Sequence, residues 1–276
     1  VFSKIALAIT FSPYCRALLA ETKRLVSLFN SSVIFIHAGE KTDESEKKLR
    51  QIIEESGFDY NTVIKWGTGD PAKVIISECE KENVDLLIAG AVEKESFVKF
   101  YLGSIARKIM RESKCSVLIL TEPKPETTVF KNIVALVDYT ENGDNVVKKA
   151  YEISKLEKSN SLTLLRDFYV PGLAITIWDS GSADETEKAR EQYQQEEEEK
   201  LKIYASELNI KGSNIKHIAL YGKEGWESTN FVRETDADLY LVPAPHRKFK
   251  FLDRVFSHDL EYTFEHLPSN LLIYKK

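Results

Sequence analysis

VDLLIAGAVEKESFVKFYLGSIARKIMRESKCSVLIL (84–120) holds two short apolar runs on either side of a longer amphipathic one. VDLLIAG (84–90) and SVLIL (116–120) are apolar almost without interruption and have strand length, whereas Gly103 to Ser113 shows helical spacing. Strands buried on both faces of a parallel sheet read this way, and a helix between two of them is the crossover of a βαβ unit. The same alternation runs back to the start of the chain. KIALAIT (4–10), SVIFIHA (32–38) and TVIKW (62–66) are expected strands. Helices are expected from Pro13 to Phe29 and from Pro71, after Gly67 and Gly69, to about Asn83. Asp43 followed by Glu46 is expected to form a capping box for the helix between strands two and three. The segment from Ala91 to Leu102 reads as a loop. The expected fold class is α/β, an open and mostly parallel five-stranded sheet with helices on both faces, Rossmann-like in layout.

Downstream, TEPKPETTV (121–129) has two prolines and no periodicity, and reads as a linker. The order then restarts. NIVALVD (132–138) lies over KIALAIT, LTLLR (162–166) over VIFIH (33–37), ADLYLVP (237–243) over VDLLIAG, and SNLLI (269–273) over SVLIL. Such agreement marks an internal duplication, so two tandem sheets are expected. The expected domains are 1–122 and 130–276, joined by the linker 123–129, with an insertion in the second near 167–200. Part of the insertion is the apolar DFYVPGLAITIWDSG (167–181), which carries Tyr169, Val170, Leu173, Ile175, Ile177 and Trp178. It reads as a flap on its own domain or as a cover over a cleft. The run EEEEK (196–200) reads as a solvated helix face.

The 276 residues are 43% hydrophobic and 29% charged, with net charge −5, so nothing draws the chain to nucleic acid or to an anionic membrane. No apolar stretch approaches the roughly 20 residues that span a bilayer. The start, VFSKIALAIT, shows no basic leader, and a cytoplasmic location is expected. Cys15, Cys79 and Cys115 match no zinc ligand set and no CxxC pair, and read as buried structural thiols in a reducing compartment. His37, His217, His246, His258 and His266 are scattered. No HExxH, P-loop, GxGxxG or GxSxG is present, and no catalytic constellation or metal site is expected.

Ligands of open parallel sheets bind beyond the carboxyl ends of the strands. The residues there are Thr10, Ala38, Gly67 to Gly69, and Gly90 onwards. Gly103-Ser104 then begins a helix, whose unpaired N–H groups and partial positive charge suit a phosphate. Lys94, Lys99 and Arg107 lie in or beside that loop and would neutralise charge. The plain alternative is a serine N-cap after a glycine turn, which needs no ligand.

GTGDPAKVI (67–75), VDLLIAG (84–90) and LGSIARKIMRESKCSVLIL (102–120) together resemble the universal stress protein family. The likeness runs over 4–121 and more faintly over 131–274, as in tandem members. The resemblance implies a fold like that of adenine nucleotide alpha hydrolases, and ATP bound by Gly90, Gly103, Ser104 and Ile105 at the loop. Thr10 and Ala38 would meet the ribose and base. Two positions depart from the family pattern: Glu93 stands where a second glycine is usual, and Thr10-Phe11 where aspartate and glycine are. In the second copy Asp138 is retained, but Pro243 and Phe256 replace loop glycines before Ser257. His246, Arg247, Lys248 and Lys250 make that loop basic. What is implied is a non-catalytic stress-response binding module, with adenine nucleotide in domain 1 only. The alternatives are a slow ATPase at the same site and a nucleotide-free interaction protein. The resemblance also implies that 116–120 and 269–273 pair the copies into a pseudo-dimer, with further homodimer association and a signalling partner.

Overall fold

The computed structural model describes residues 1–93, 100–101, 103–170, 183–244 and 258–275. Two compact units divide the chain: Val1–Phe130 with Phe264–Lys276, and Lys131–Thr263. Each is an α/β unit built on a mostly parallel sheet.

In the first unit, β1 (Lys4–Ala8), β2 (Ser32–Ala38), β3 (Ile64–Gly67), β4 (Leu86–Gly90) and β7 (Ser116–Leu120) are the parallel strands. Their order is β3-β2-β1-β4-β7. Crossing from β1 to β4 reverses the direction of the strand order, which makes their carboxyl ends the switch point. β12 (Asn270–Tyr274) completes this sheet by antiparallel pairing with β7, Leu271 facing Ile119 and Ile273 facing Val117. Ile5, Leu7, Leu87, Ile88, Val117 and Ile119 are buried, as a sheet covered on both faces requires.

The helices begin where local chemistry dictates. α1 (Cys15–Phe29) starts after a turn in which Cys15 N donates to Ser12 O at 3.0 Å, so it opens later than Pro13. It ends at Asn30, whose left-handed φ of 54° serves as a C-cap. The capping box of α2 (Asp43–Glu55) differs from the expected one. Thr42 is the N-cap, its Oγ1 accepting from Ser45 N at 3.1 Å while Ser45 Oγ accepts from Thr42 N at 2.9 Å. Glu46 pairs instead with Lys41 and Arg50, because a serine at the third helical position reaches the Thr42 N–H directly. α3 (Pro71–Lys81) has proline at its first position and Asp70 as N-cap. α4 (Ser104–Glu112) leads into β7. Between β4 and α4 the structure adds β5 (Val92–Glu93) and β6 (Phe100–Tyr101), an antiparallel pair where sequence reads only loop. Strands of two residues are too short to show a period.

The second unit repeats the pattern with β8 (Asn132–Leu136), α5 (Glu141–Glu157), β9 (Ser161–Phe168), α6 (Ala183–Glu207), β10 (Ile215–Tyr221), α7 (Trp226–Glu234) and β11 (Leu239–Pro243). Its parallel order is β10-β9-β8-β11. The division between units falls within α8 (His258–Glu265). In the glutamate run, Glu196 and Glu199 are exposed, but Glu197 is only 8% exposed and sits 3.9 Å from Arg166 Nε. The run is therefore not wholly a solvated face: one residue in it turns towards β9. Among the described residues no helix is long and apolar enough to cross a membrane.

The last strand matters to the first unit through apolar burial. Ile273→Ala is expected to cost about 2–5 kcal/mol, the usual range for emptying a buried aliphatic site. Urea unfolding followed at Trp66 would read it. An unchanged midpoint would mean that β12 adds nothing to this sheet.

Candidate functional site

β1, β2, β3 and β4 present their carboxyl ends on one side of the first sheet, and the side chains there form two groups. One is aromatic. His37, near the end of β2, is buried, and its Nδ1 donates to Ile9 O at 2.8 Å, which places a proton on that nitrogen. The Phe11 and Trp66 rings meet the imidazole edge-on, with centroids 5.2 and 4.7 Å away. Lys48 Nζ lies over the Phe11 face at 5.3 Å. The Trp66 indole N–H is buried and without an acceptor among the described residues, and Phe11 is 41% exposed. Thr10 is exposed beside Phe11, and Ala38 is half-buried at the end of β2. Sequence reading missed this cluster because no spacing links residues 11, 37, 48 and 66; only the parallel register brings them together.

The second group surrounds the start of α4. Gly90 ends β4, and Glu93 lies in β5 opposite Phe100. Gly103 is the N-cap of α4, with φ −63° and ψ 164° and no side-chain cap. Ser104 is thus the first helical residue, not the cap, and Ser104 and Ile105 are both exposed. The Gly103 backbone lies in a region open to any residue, so the turn itself does not demand glycine. What the missing side chain provides is room for a close approach to the N–H groups. Arg107 is half-buried on α4, while Lys94 and Lys99 lie outside the described residues. Among the described residues no group of three or more His, Cys, Asp or Glu is placed to hold a metal.

The helix beginnings of the second unit are occupied differently. Asp138, after β8, accepts at Oδ1 from Thr140 N at 3.0 Å and from Thr140 Oγ1 at 2.7 Å. Thr140 caps α5 in turn, accepting from Gly143 N at 3.0 Å. A Cβ at Gly143 would stand 2.0 Å from Asp138 Oδ1, so only glycine lets the carboxylate settle onto the helix start. Asp167, near the end of β9, is 2% exposed and accepts at Oδ2 from Gly225 N at 2.7 Å and Ser228 N at 3.3 Å. Gly225 is the N-cap of α7 and Ser228 its third residue. Asp167 Oδ1, Ser228 Oγ and Tyr240 Oη are buried without a well-formed hydrogen bond among the described residues. Nearby, Arg166 lies over the Tyr139 ring at 5.3 Å, and Tyr204 Oη donates to Asp144 at 2.6 Å. Burial and then Glu197 push the Tyr139 hydroxyl above its ordinary range. Pro243 ends β11 and is buried. Phe256, Ser257 and the basic residues His246, Arg247, Lys248 and Lys250 lie outside the described residues, as does 171–182 of the insertion. Of that insertion, Tyr169 is exposed and stacks on Tyr221 at 5.9 Å.

A mostly parallel sheet with a helix start at its switch point that has no side-chain cap among the described residues defines a class, the open α/β proteins that bind ligands at strand ends. The family follows from comparison: residues 2–121 match the universal stress protein family, and the chain carries a domain of that family there. A universal stress protein of Methanocaldococcus jannaschii is 32% identical over 87 residues, covering 32% of this chain and 50% of the relative. The chain spans about half the length of the curated relatives it matches. Over its whole length it shares a fold with a Pseudomonas aeruginosa structure described as a universal stress protein, at 18% identity and TM-score 0.72, with 94% of that chain covered. A universal stress protein solved in complex with cAMP aligns to 44% of this chain, and 97% of its own, at 17% identity and TM-score 0.36.

Asp167 yields a pH test. Burial pushes its carboxyl up to about 6, against the pull of Ser228 and Gly225. An acid whose folded pKa exceeds its unfolded value makes the folded state bind the extra proton, so stability falls as pH rises through about 4 to 6. Asp167→Asn, which keeps an acceptor for α7 without a charge, is expected to remove that fall. Relative to wild type, its stability should rise by up to about 3 kcal/mol between pH 4 and 7, two pK steps of 1.36 kcal/mol each. Urea unfolding at both pH values measures it, and a pH-independent difference would contradict the assignment.

Proposed function

We propose that this chain is a tandem, non-catalytic binding module of the universal stress protein kind that takes an adenine nucleotide in its first unit only. The observation that carries the proposal is the contrast between helix beginnings. Among the described residues no side chain caps the first N–H groups of α4. At α5 and α7 of the second unit, Asp138 and Asp167 lie against the helix start as internal anions. A helix N-terminus favours negative charge, and one already supplied with a carboxylate repels a second anion.

In this reading Gly90, Gly103, Ser104 and Ile105 cradle the phosphates. Thr10 and Ala38 lie at the strand ends where the ribose and base would rest. Glu93 is the member that fits worst, since a carboxylate beside phosphate is unfavourable without a cation between them. The two copies, with the insertion after β9, serve as a stress-response regulatory unit in the cytoplasm, associating as a pseudo-dimer and as a homodimer with a signalling partner.

Isothermal titration with ATP tests the site. Wild type and Ser257→Ala should bind alike, while Gly103→Phe should lose binding at least about tenfold, or 1.4 kcal/mol. No heat with ATP, ADP, AMP or cAMP would overturn the proposal and leave the nucleotide-free interaction protein. Single-turnover phosphate release from wild type, abolished in Glu93→Ala, would instead make the chain a slow ATPase.

A further inference from the structure

Cys79 and Cys115 are far apart in sequence, yet the first unit sets them side by side. Cys79 is on α3, and Val84 N donates to its carbonyl at 3.0 Å. Asp85 follows, and its carbonyl accepts from Ser116 N at 3.0 Å, immediately beyond Cys115. The chain neighbours Glu80 and Lys114 form an ion pair at 3.3 Å, closing the same junction from outside. Both cysteines are free, with exposures of 3% and 8%. The backbone pairing and the ion pair bring the two thiols to one junction, and each is the leading influence on how the other loses its proton.

The surroundings favour a thiolate on Cys115. Ser113 Oγ lies 3.4 Å from Cys115 Sγ and also donates to the Cys115 carbonyl at 2.8 Å. The ammonium of Lys275 donates to Met110 O at 2.6 Å and Ser113 O at 2.7 Å, at the end of α4. Its charge acts on Cys115, and the Lys275 backbone is tied to Ser116 Oγ at 3.0 Å. Cys115 and then burial hold Cys79 on the protonated side, while Cys79 first and then the Lys275 charge pull Cys115 below the ordinary thiol range against burial. Cys15 lacks these partners, and burial pushes it up.

We propose that Cys79 and Cys115 form a redox modification site, a dithiol that hydrogen peroxide converts to an intrachain disulfide between α3 and the start of β7. The Cys115 thiolate attacks the peroxide O–O bond, forming an S–O bond and releasing hydroxide. Cys79 then gives up its proton and attacks that sulfur, so that an S–S bond forms as the S–O bond breaks. The hydroxides take up the two thiol protons. Two thiols and one hydrogen peroxide yield one disulfide and two waters. Cys115 is the attacking group, Cys79 resolves it, and Lys275 is a positioning residue that supplies charge.

The full chain treated with hydrogen peroxide, unfolded, alkylated and digested without reductant tests this. The expected product is one linked peptide pair containing Cys79 and Cys115, with Cys15 alkylated. Cys79→Ser should trap Cys115 as a sulfenic acid that a dimedone probe labels. Lys275→Met should slow oxidation at pH 7 by about tenfold and move the pH midpoint towards the ordinary thiol value of about 8.5. Lys275→Arg should restore the rate, which a merely structural role would not produce. The proposal is overturned if Cys79 and Cys115 remain alkylatable when free cysteine is fully oxidised, or if Cys15 joins the disulfide at a comparable rate.

Discussion

Ser116–Leu120 lies between a parallel partner, Leu86–Gly90, and an antiparallel one, Asn270–Tyr274, so both of its hydrogen-bonding edges are used within the first unit. A parallel sheet left open at that edge would present a row of unpaired N–H and C=O groups. β12 satisfies that edge of β7, and side chains secure its ends. Asn270 Oδ1 accepts from Thr121 N at 3.0 Å at one end, and Ser116 Oγ donates to Lys275 O at 3.1 Å at the other. The same pairing brings the Lys275 ammonium to the carbonyls that finish α4. The geometry of α4, and with it the presentation of its opposite end to a ligand, is thus linked to β12 and Lys275.

Electrostatics at helix beginnings separates the two units more sharply than their shared pattern suggests. Each helix start concentrates partial positive charge that must be met by a cap, by water or by a ligand. The second unit meets two of its own with aspartates, one of them buried at the cost of a raised pKa. In the first unit Asp70 caps α3 and is itself paired with Lys108 at 2.7 Å, whereas α4 carries glycine at the same place. The two units share a strand and helix pattern, but different groups meet their helix beginnings.

Much of the scaffold was legible in sequence because a sheet buried on both faces leaves long apolar runs. Strands at 32–38 and 116–120 coincide with the observed ones. Boundaries set by hydrogen bonding were harder to read. Thr62 sits in a turn, Thr62 N donating to Asp59 O at 3.0 Å, so β3 begins two residues later than TVIKW suggests. The choice between Thr42 and Asp43 as a cap depends on which hydroxyl reaches an N–H, which spacing does not determine. Glycine and serine before a helix could be recognised, but not that Gly103 would be the cap and Ser104 the first helical residue. The Phe11–His37–Trp66 cluster, the Cys79–Cys115 pair and the buried Asp167 all arise from long-range register. In sequence each looked like an isolated residue, and the two cysteines in particular read as inert thiols.

The central claim is that one helix beginning, α4, is available to an anionic nucleotide while those of α5 and α7 are already satisfied. Backbone amide chemical shifts of isotopically labelled protein during titration with ATP would examine it directly. The account predicts progressive shifts at Gly103, Ser104 and Ile105, with Gly143, Gly225 and Ser228 unmoved. Shifts at the second group, or none at the first at saturating ATP, would contradict it.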